Sequence, residues 1–221
     1  MKIFVATAST YDVQWAVEGG LADGIVTTPA LLREAAGEDG EREVLAEICQ
    51  GTALPVCASV GSVTASDIYR DGRELAKISD QILVRVPLLE EALPAIRRLK
   101  AEGIRSVATL VHVTTQAVLA AKAGAFMVEV PLDSLDAVGE DSADVVRDIR
   151  SAFDIHAIEC DVIAALPRTS ALFARCASVG ADVITVTPEG LRALLLHPLT
   201  DRGVDHLLRD LSTHARPRAP V

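Results

Sequence analysis

Short apolar runs alternate with longer amphipathic segments along almost the whole chain. The short runs are rich in Val, Ile and Ala, which is the pattern of parallel strands buried on both faces. They are residues 3–6, 24–27, 56–60, 82–86, 106–111, 126–130, part of 155–164, and 183–186. The segments between them repeat apolar residues at helical spacing, as in residues 43–50, 65–77, 89–102, 114–123, 142–152, 168–179 and 188–195.

This alternation predicts a single α/β domain. A strand followed by a helix returns to the next strand in parallel, with a right-handed crossover. Eight such units predict a closed (β/α)8 TIM barrel. The alternative is an open doubly wound sheet, which is less favoured because no glycine-rich turn follows the first strand.

The C-terminal part of the chain is predicted to add one more helix to the barrel. Residues 197–200 interrupt the helical pattern, and residues 201–211 then place Leu207, Leu208 and Leu211 on one side. This helix packs either on its own barrel or on a neighbouring subunit. We expect one domain over residues 1–213 and a flexible tail over residues 214–221, which include two prolines.

Composition and charge narrow the classes of function. Half of the 221 residues are hydrophobic and only 3% are aromatic, so small aliphatic side chains must build the core. The formal net charge of −10 argues against nucleic-acid binding, which needs a basic surface. No apolar stretch has the length of a transmembrane helix, and the first ten residues indicate a strand and not a signal peptide. We therefore expect a cytoplasmic protein that binds neither nucleic acid nor membrane.

The four cysteines also fit a reducing compartment. Cys49, Cys57, Cys160 and Cys176 show no C-x-x-C spacing, so buried, reduced thiols are expected. Cys57 lies two residues before Ser59 in the third predicted strand, and side chains at that spacing face the same side. A nucleophilic Cys57 is the alternative to a core thiol.

Several segments carry a family resemblance. Residues 1–8 are MKIFVATA, residues 21–31 are LADGIVTTPAL, residues 118–125 are VLAAKAGA, residues 181–186 are ADVITV and residues 197–201 are HPLTD. They resemble the first strand ending in D-T-A, the L-x-D-G-V-T-T-N-P-S-L segment, L-L-A-A-K-A-G-A, the eighth strand and H-P-L-T-D of the small transaldolase / fructose-6-phosphate aldolase family. The resemblance implies the TIM barrel, a small-molecule substrate, no cofactor, and a homo-oligomer (pentamer or decamer) in which the C-terminal helix crosses to a neighbour.

The chain departs from the family pattern at the strand ends that would hold its chemistry. Residues 81–87 are QILVRVP, and Arg85 stands where the family's V-V-K-[IV]-P has the lysine that forms a Schiff base with the sugar. Ala6 replaces an aspartate, Thr28 an asparagine, Ser134 the phosphate-binding arginine and Leu166 a serine. Thr109 is retained, and Arg168 matches a basic residue of the family.

A Schiff base is therefore not expected. A guanidinium stays protonated and cannot attack a carbonyl carbon as a neutral amine does. The lysines of the chain are Lys2, Lys77, Lys100 and Lys122. Their places at the start of the first strand, at helix ends and within a helix are remote from the C-terminal ends of the strands, where TIM-barrel active sites lie.

Other polar side chains are predicted at the C-terminal ends of the strands, which form the mouth of the barrel. The set comprises Ser59, Arg85, Thr109, His112, Glu129 and either Glu159 or Asp161. An unpaired buried arginine is costly, so we expect an Arg85–Glu129 ion pair. The pair either fills a disused site or holds a substrate carboxylate or phosphate on Arg85, with Glu129 as base.

The remaining candidates have less defined roles. His112 is either a packed histidine or a general acid/base, and we place it with Arg85 and Glu129 as catalytic candidates. The candidates for substrate binding are Thr28, Ser59, Thr109, Ser134 and Arg168. His112, Glu129 and Glu159 or Asp161 could converge on a metal, but Arg85 would oppose a cation, so no metal and no cofactor are expected.

Three functions follow from these residues. The first is a repurposed enzyme, a lyase, cyclase or isomerase of specialised metabolism, that uses acid–base chemistry on a carbonyl or carboxylate compound. The second is a non-catalytic pseudo-aldolase that binds a metabolite or acts in assembly. The third, a conventional transaldolase, is disfavoured by the lysine positions.

Overall fold

Eight parallel strands close into a barrel in the order of the chain, which confirms the (β/α)8 prediction and excludes the open sheet. The computed structural model describes residues 1–37 and 40–214, with side chains up to residue 212. The strands are β1 (Lys2–Ala6), β2 (Gly24–Val26), β3 (Val56–Ser59), β4 (Ile82–Pro87), β5 (Ser106–Thr109), β6 (Met127–Pro131), β7 (Asp161–Ala165) and β8 (Val183–Val186). β1 pairs with both β2 and β8, so the ring has no open edge.

Helices surround the barrel. They are α1 (Thr10–Glu18), α2 (Pro29–Ala36), α3 (Glu41–Gly51), α4 (Ala65–Ala76), α5 (Ala92–Ala101), α6 (Thr114–Ala123), α7 (Leu132–Ala137), α8 (Ser142–Ile155), α9 (Ser170–Ser178), α10 (Pro188–Ala193) and α11 (Pro198–His214). All of the predicted helices are present, whereas α1, α2 and the short α7, directly after β6, were not among them. α8 runs on to Ile155, so residue 155 is not the start of a strand. The predicted tail lies outside the described residues except for residue 214, which ends α11.

Threonine and serine side chains begin several helices at the mouth. Ser9, Thr28, Thr64, Thr169 and Thr187 each accept a hydrogen bond from a backbone N–H in the first turn of the following helix. Such caps satisfy amide groups that the helix itself leaves without a partner. The loops after β1, β2, β3, β7 and β8 are therefore fixed at the point where the following helix begins.

The hydrophobic core has two parts, as expected for a barrel wrapped by helices. The larger part lies between strands and helices and is made mainly of Val, Ile, Leu and Ala. The smaller part fills the barrel itself with Phe4, Ala6, Val26, Cys57, Leu83, Val107, Met127, Ile163 and Val183. The inner part needs alternating side chains that point inward from every strand, and it forms the floor under the polar mouth.

Phe4 and Gly24 show how tightly this inner core is filled. The two residues are paired across β1 and β2. A Cβ atom on Gly24 would lie 2.5 Å from Cε1 of Phe4, so the absence of a side chain at residue 24 makes room for the aromatic ring. Phe4 is one of few aromatic residues in the chain and is fully buried.

No helix in the described ranges is long and apolar enough to cross a lipid bilayer.

We predict that Gly24→Ala lowers the free energy of unfolding by about 1–3 kcal/mol, because overpacking a filled core forces backbone shifts. Urea unfolding measures the change. Gly51→Ala is the control, since a Cβ atom there meets no other atom within 4 Å. Phe4→Leu should reduce the cost of Gly24→Ala when the two changes are combined, and equal costs in both backgrounds would contradict this account.

Candidate functional site

Arg85 and Glu129 lie one layer above the inner apolar core. Arg85 follows the inward-facing Leu83 by two residues on β4, and Glu129 follows Met127 by two residues on β6. Because side chains alternate along a strand, both residues point into the barrel. The register places Ser59 of β3 directly beside Arg85.

The predicted ion pair between Arg85 and Glu129 is present, and it is bidentate. Arg85 Nη2 donates to Glu129 Oε1 at 2.5 Å, and Arg85 Nε donates to Oε2 at 3.2 Å. Arg85 Nη1 donates to Ser59 Oγ at 3.2 Å and to the carbonyl oxygen of Thr27 at 3.4 Å. The side chains are only 13% and 8% exposed. The guanidinium of Arg85, on β4, thus contacts β6 on one side of the mouth. On the other side it contacts β3 and the residue that follows β2.

The lysines lie elsewhere in the structure. Lys2 Nζ contacts Asp161 Oδ2 at 3.1 Å, and both residues begin their strands, at the end of the barrel opposite the mouth. Lys77 caps the C-terminus of α4. Lys100 and Lys122 are in the last turns of α5 and α6. A lysine Schiff base at the mouth is therefore not available.

The same contact corrects one prediction. Asp161 was expected among the mouth residues, but it is the first residue of β7 and pairs with Lys2 at the opposite end. Glu159, which precedes it, is exposed at that end. Among the described residues, no group of three His, Cys, Asp or Glu side chains is placed to hold a metal ion.

His112 lies beyond β5 and does not end that strand. β5 ends at Thr109, and Leu110 then adopts a left-handed backbone conformation with φ of 62°. His112 follows in the loop, where its backbone N–H donates to Gln116 Oε1 at 2.8 Å. Its half-buried ring stays a candidate acid or base.

Two of the candidates for substrate binding, Ser59 and Thr109, end their strands, and the other three lie in loops or on α7. Ser59 contacts Arg85, and Thr109 is buried at the end of β5. Thr28 accepts a hydrogen bond from Leu31 N as the cap of α2, which leaves its hydroxyl proton free to donate. Ser134 is exposed on α7, and Arg168 contacts Asp133 at 3.4 Å in the loop after β7.

Cys57 is a core thiol. It faces the barrel interior below Ser59, as the alternation predicted, and burial raises the pKa of its thiol to about 12. The thiol stays protonated near neutral pH and is not an activated nucleophile. All four cysteines are buried, as predicted, and none of them is joined in a disulfide.

A cavity of about 390 Å³ opens beside β7 and β8. Its walls are the β7–α9 loop, the end of β8 and α10, with Asp133 from α7. The apolar lining consists of Leu166, Pro167, Phe173, Val186, Ala193 and Leu194. The sequence pattern did not predict this cavity, because loops and a short helix form it. The one indication in the sequence was Leu166, an apolar residue where the family pattern has a serine.

Comparison with known proteins agrees with this architecture. The family model described as transaldolase/fructose-6-phosphate aldolase matches residues 3–217. The chain belongs to the transaldolase/fructose-6-phosphate aldolase family. It is 39% identical over 210 residues to a probable transaldolase of Hyphomonas neptunium, covering 95% of this chain and 96% of that protein. A probable transaldolase of Rhizobium meliloti gives the same identity and coverage, and one of Desulfotalea psychrophila is 38% identical, covering 95% and 97%.

More distant solved structures share the fold alone. The carboxyl transferase domain of Rhizobium etli pyruvate carboxylase with 3-bromopyruvate superposes with a TM-score of 0.65 at 15% identity, covering 85% of this chain and 39% of that one. A designed cube-shaped protein cage gives a TM-score of 0.63 at 12% identity, covering 96% and 77%.

We predict that Arg85→Met lowers the free energy of unfolding by about 3–5 kcal/mol, because it leaves the buried Glu129 carboxylate without its partner. The double variant Arg85→Met/Glu129→Leu should regain most of that loss, since it removes both charges. Urea unfolding measures both values. Arg147→Ala, which breaks an exposed pair with Asp144, is the control and should cost at most about 1 kcal/mol. A similarly small cost for Arg85→Met would show that the pair is not tightly coupled.

Proposed function

We propose that this member of the family is an enzyme that acts on a carbonyl or carboxylate compound by non-covalent acid–base chemistry. The observation that carries the proposal is the bidentate Arg85–Glu129 pair in the place of the family's Schiff-base lysine. A buried ion pair is seldom more stable than apolar side chains of the same volume. Stability alone therefore does not explain the two buried charges of Arg85 and Glu129, whereas catalysis at the carbonyl group of a substrate does.

The pair offers a base and an oxyanion partner side by side. Glu129 would take a proton from the carbon next to a carbonyl group, and the electron pair of that bond would move onto the carbonyl oxygen. The guanidinium of Arg85 would stabilise the enolate oxygen through its N–H groups. In an α-hydroxy carbonyl compound, transfer of the hydroxyl proton to the enolate oxygen and return of the abstracted proton to the former carbonyl carbon complete an isomerisation. Departure of a β-substituent with the electron pair of its own bond completes a lyase reaction instead.

A non-catalytic pseudo-aldolase is the second candidate, and the saturation of Arg85 favours it. The guanidinium has five N–H donors. Four hydrogen bonds to Glu129, Ser59 and Thr27 already occupy most of them. In that case the pair only fills the mouth, and the barrel binds a metabolite or acts through assembly. A conventional transaldolase is disfavoured, because no lysine lies at the mouth.

We predict that the protein catalyses exchange of α-hydrogens with solvent in a small carbonyl compound. Proton NMR in D2O would follow this exchange with hydroxyacetone, dihydroxyacetone and pyruvate. Glu129→Gln should slow the exchange by about 10²–10⁴-fold, because the amide cannot accept the proton. Glu159→Gln is the matched control, since Glu159 is exposed at the opposite end of the barrel.

Two results would change the proposed function. Absence of exchange with every compound would favour the pseudo-aldolase. A stable adduct with dihydroxyacetone after borohydride reduction would revive the Schiff-base mechanism and overturn the proposal.

We also propose that the protein assembles through α11 as a pentamer or decamer. Val204, Leu207, Leu208 and Leu211 recur at helical spacing on α11, and each is about half exposed or more. An apolar stripe of this kind indicates a surface that a partner covers. The four free thiols further support a reducing compartment such as the cytoplasm.

Leu207→Glu combined with Leu211→Glu should convert the assembly to a monomer of 23.3 kDa, because burying two carboxylates in an apolar interface is unfavourable. Light scattering coupled to a sizing column measures the mass. Val138→Glu, at an equally exposed apolar residue away from α11, should leave the mass unchanged. A monomeric wild-type protein would contradict the proposal.

A further inference from the structure

We infer that the cavity beside β7 and β8 takes a neutral organic molecule, with an apolar body and a carbonyl or hydroxyl oxygen, and not a phosphate ester. The inference goes beyond the proposed function, because Arg85 and Glu129 do not line this cavity. The cavity volume of about 390 Å³ is in the range of small-molecule sites.

The charges in the cavity wall oppose a phosphate. The charged residues that line it are Arg168 and Asp133, one of each sign. Arg168 Nη2 lies 3.4 Å from Asp133 Oδ2, so the guanidinium that the described residues place in this wall already faces a carboxylate. A phosphate dianion on Arg168 would meet that carboxylate at close range, and repulsion between like charges would offset the attraction. Ser134, exposed on the same helix as Asp133, adds no positive charge.

Leu166 gives the cavity an apolar wall at some cost to the backbone. Its φ of 57° lies in the left-handed region, where a residue with a side chain is strained. Its N–H donates to the carbonyl oxygen of Thr185 at 3.0 Å and to Thr185 Oγ1 at 3.1 Å, which hold this conformation. The side chain is 43% exposed and lines the cavity together with Phe173. Because Leu166 lines the cavity, its exposed apolar side chain offers a contact surface for a ligand there.

Two hydroxyl groups supply the polar part of the cavity. Thr169 Oγ1 accepts from Leu172 N at 3.1 Å, and Thr187 Oγ1 accepts from Gly190 N at 3.0 Å. Each hydroxyl keeps its proton for donation, because the helix cap uses only the oxygen as acceptor. Both residues line the cavity. They can therefore donate to a carbonyl or hydroxyl oxygen of a neutral ligand, whose apolar body would contact Leu166 and Phe173.

A matched pair of probes tests the inference. Acetophenone and phenyl phosphate share an aromatic ring, and they differ in a neutral carbonyl group against a phosphate dianion. We expect acetophenone to bind the wild-type protein at least tenfold more tightly than phenyl phosphate, measured by NMR titration. Equal or tighter binding of phenyl phosphate would overturn the inference, and so would the absence of binding by acetophenone.

Variants locate the binding. Leu166→Ser should weaken acetophenone binding about tenfold, which corresponds to about 1.4 kcal/mol, because it removes an apolar wall of the cavity. Leu110→Ser is the matched control, because Leu110 is an exposed, left-handed leucine that does not line the cavity, and it should leave binding unchanged. Asp133→Asn should strengthen phenyl phosphate binding about fivefold, because it frees Arg168. Loss of acetophenone binding in Leu110→Ser but not in Leu166→Ser would contradict the assigned cavity.

Glu129→Gln separates this inference from the proposed function. Glu129 does not line the cavity, so this variant should still bind acetophenone while losing α-hydrogen exchange. Binding without exchange in the wild-type protein would overturn the proposed function alone. If the wild-type protein exchanges α-hydrogens but does not bind acetophenone more tightly than phenyl phosphate, this inference alone would be overturned.

Discussion

A closed barrel can hold a charge in its interior only if an opposite charge meets it there. The Arg85–Glu129 pair obeys this constraint, and much of the mouth is arranged around it. The pair links β4 to β6, and the second arm of the guanidinium reaches Ser59 and the backbone of Thr27. Beneath it, a layer of apolar side chains around Leu83 and Met127 keeps water from the floor of the site. Strands β3, β4 and β6 and the residue that follows β2 are therefore tied together at Arg85.

The exchange of a lysine for an arginine changes what that point can do. A lysine can lose its proton in an apolar site and form a covalent bond with a carbonyl carbon, whereas a guanidinium remains a fixed cation. A fixed cation favours an anionic partner, and Glu129 supplies it within the protein. The family membership therefore establishes the fold, while Arg85 departs from the family pattern that other segments of the chain resemble.

The sequence was sufficient for the fold because a parallel barrel repeats one simple pattern. Each buried strand must be apolar on both faces, and each helix needs one apolar face, so the alternation is visible without any long-range information. The ion pair was also predictable, since a lone charge at the inward-facing residue 85 would be too costly. Asp161 was misplaced, and the end of β5 was predicted two residues too late, for a different reason. Where a strand begins or ends depends on single backbone angles, such as that of Leu110, and apolar patterns do not report them. The cavity beside β7 and β8 was missed because three separated segments form it.

Leu166 has a consequence for attempts to stabilise this protein. Its left-handed backbone suits glycine, so a screen that selects only for resistance to heat would favour Leu166→Gly. That change would relax the backbone and at the same time remove an apolar wall of the cavity. Thermal resistance and ligand selection would then move in opposite directions at a single residue, and a thermostable variant obtained in this way would be the wrong starting material for finding the natural substrate.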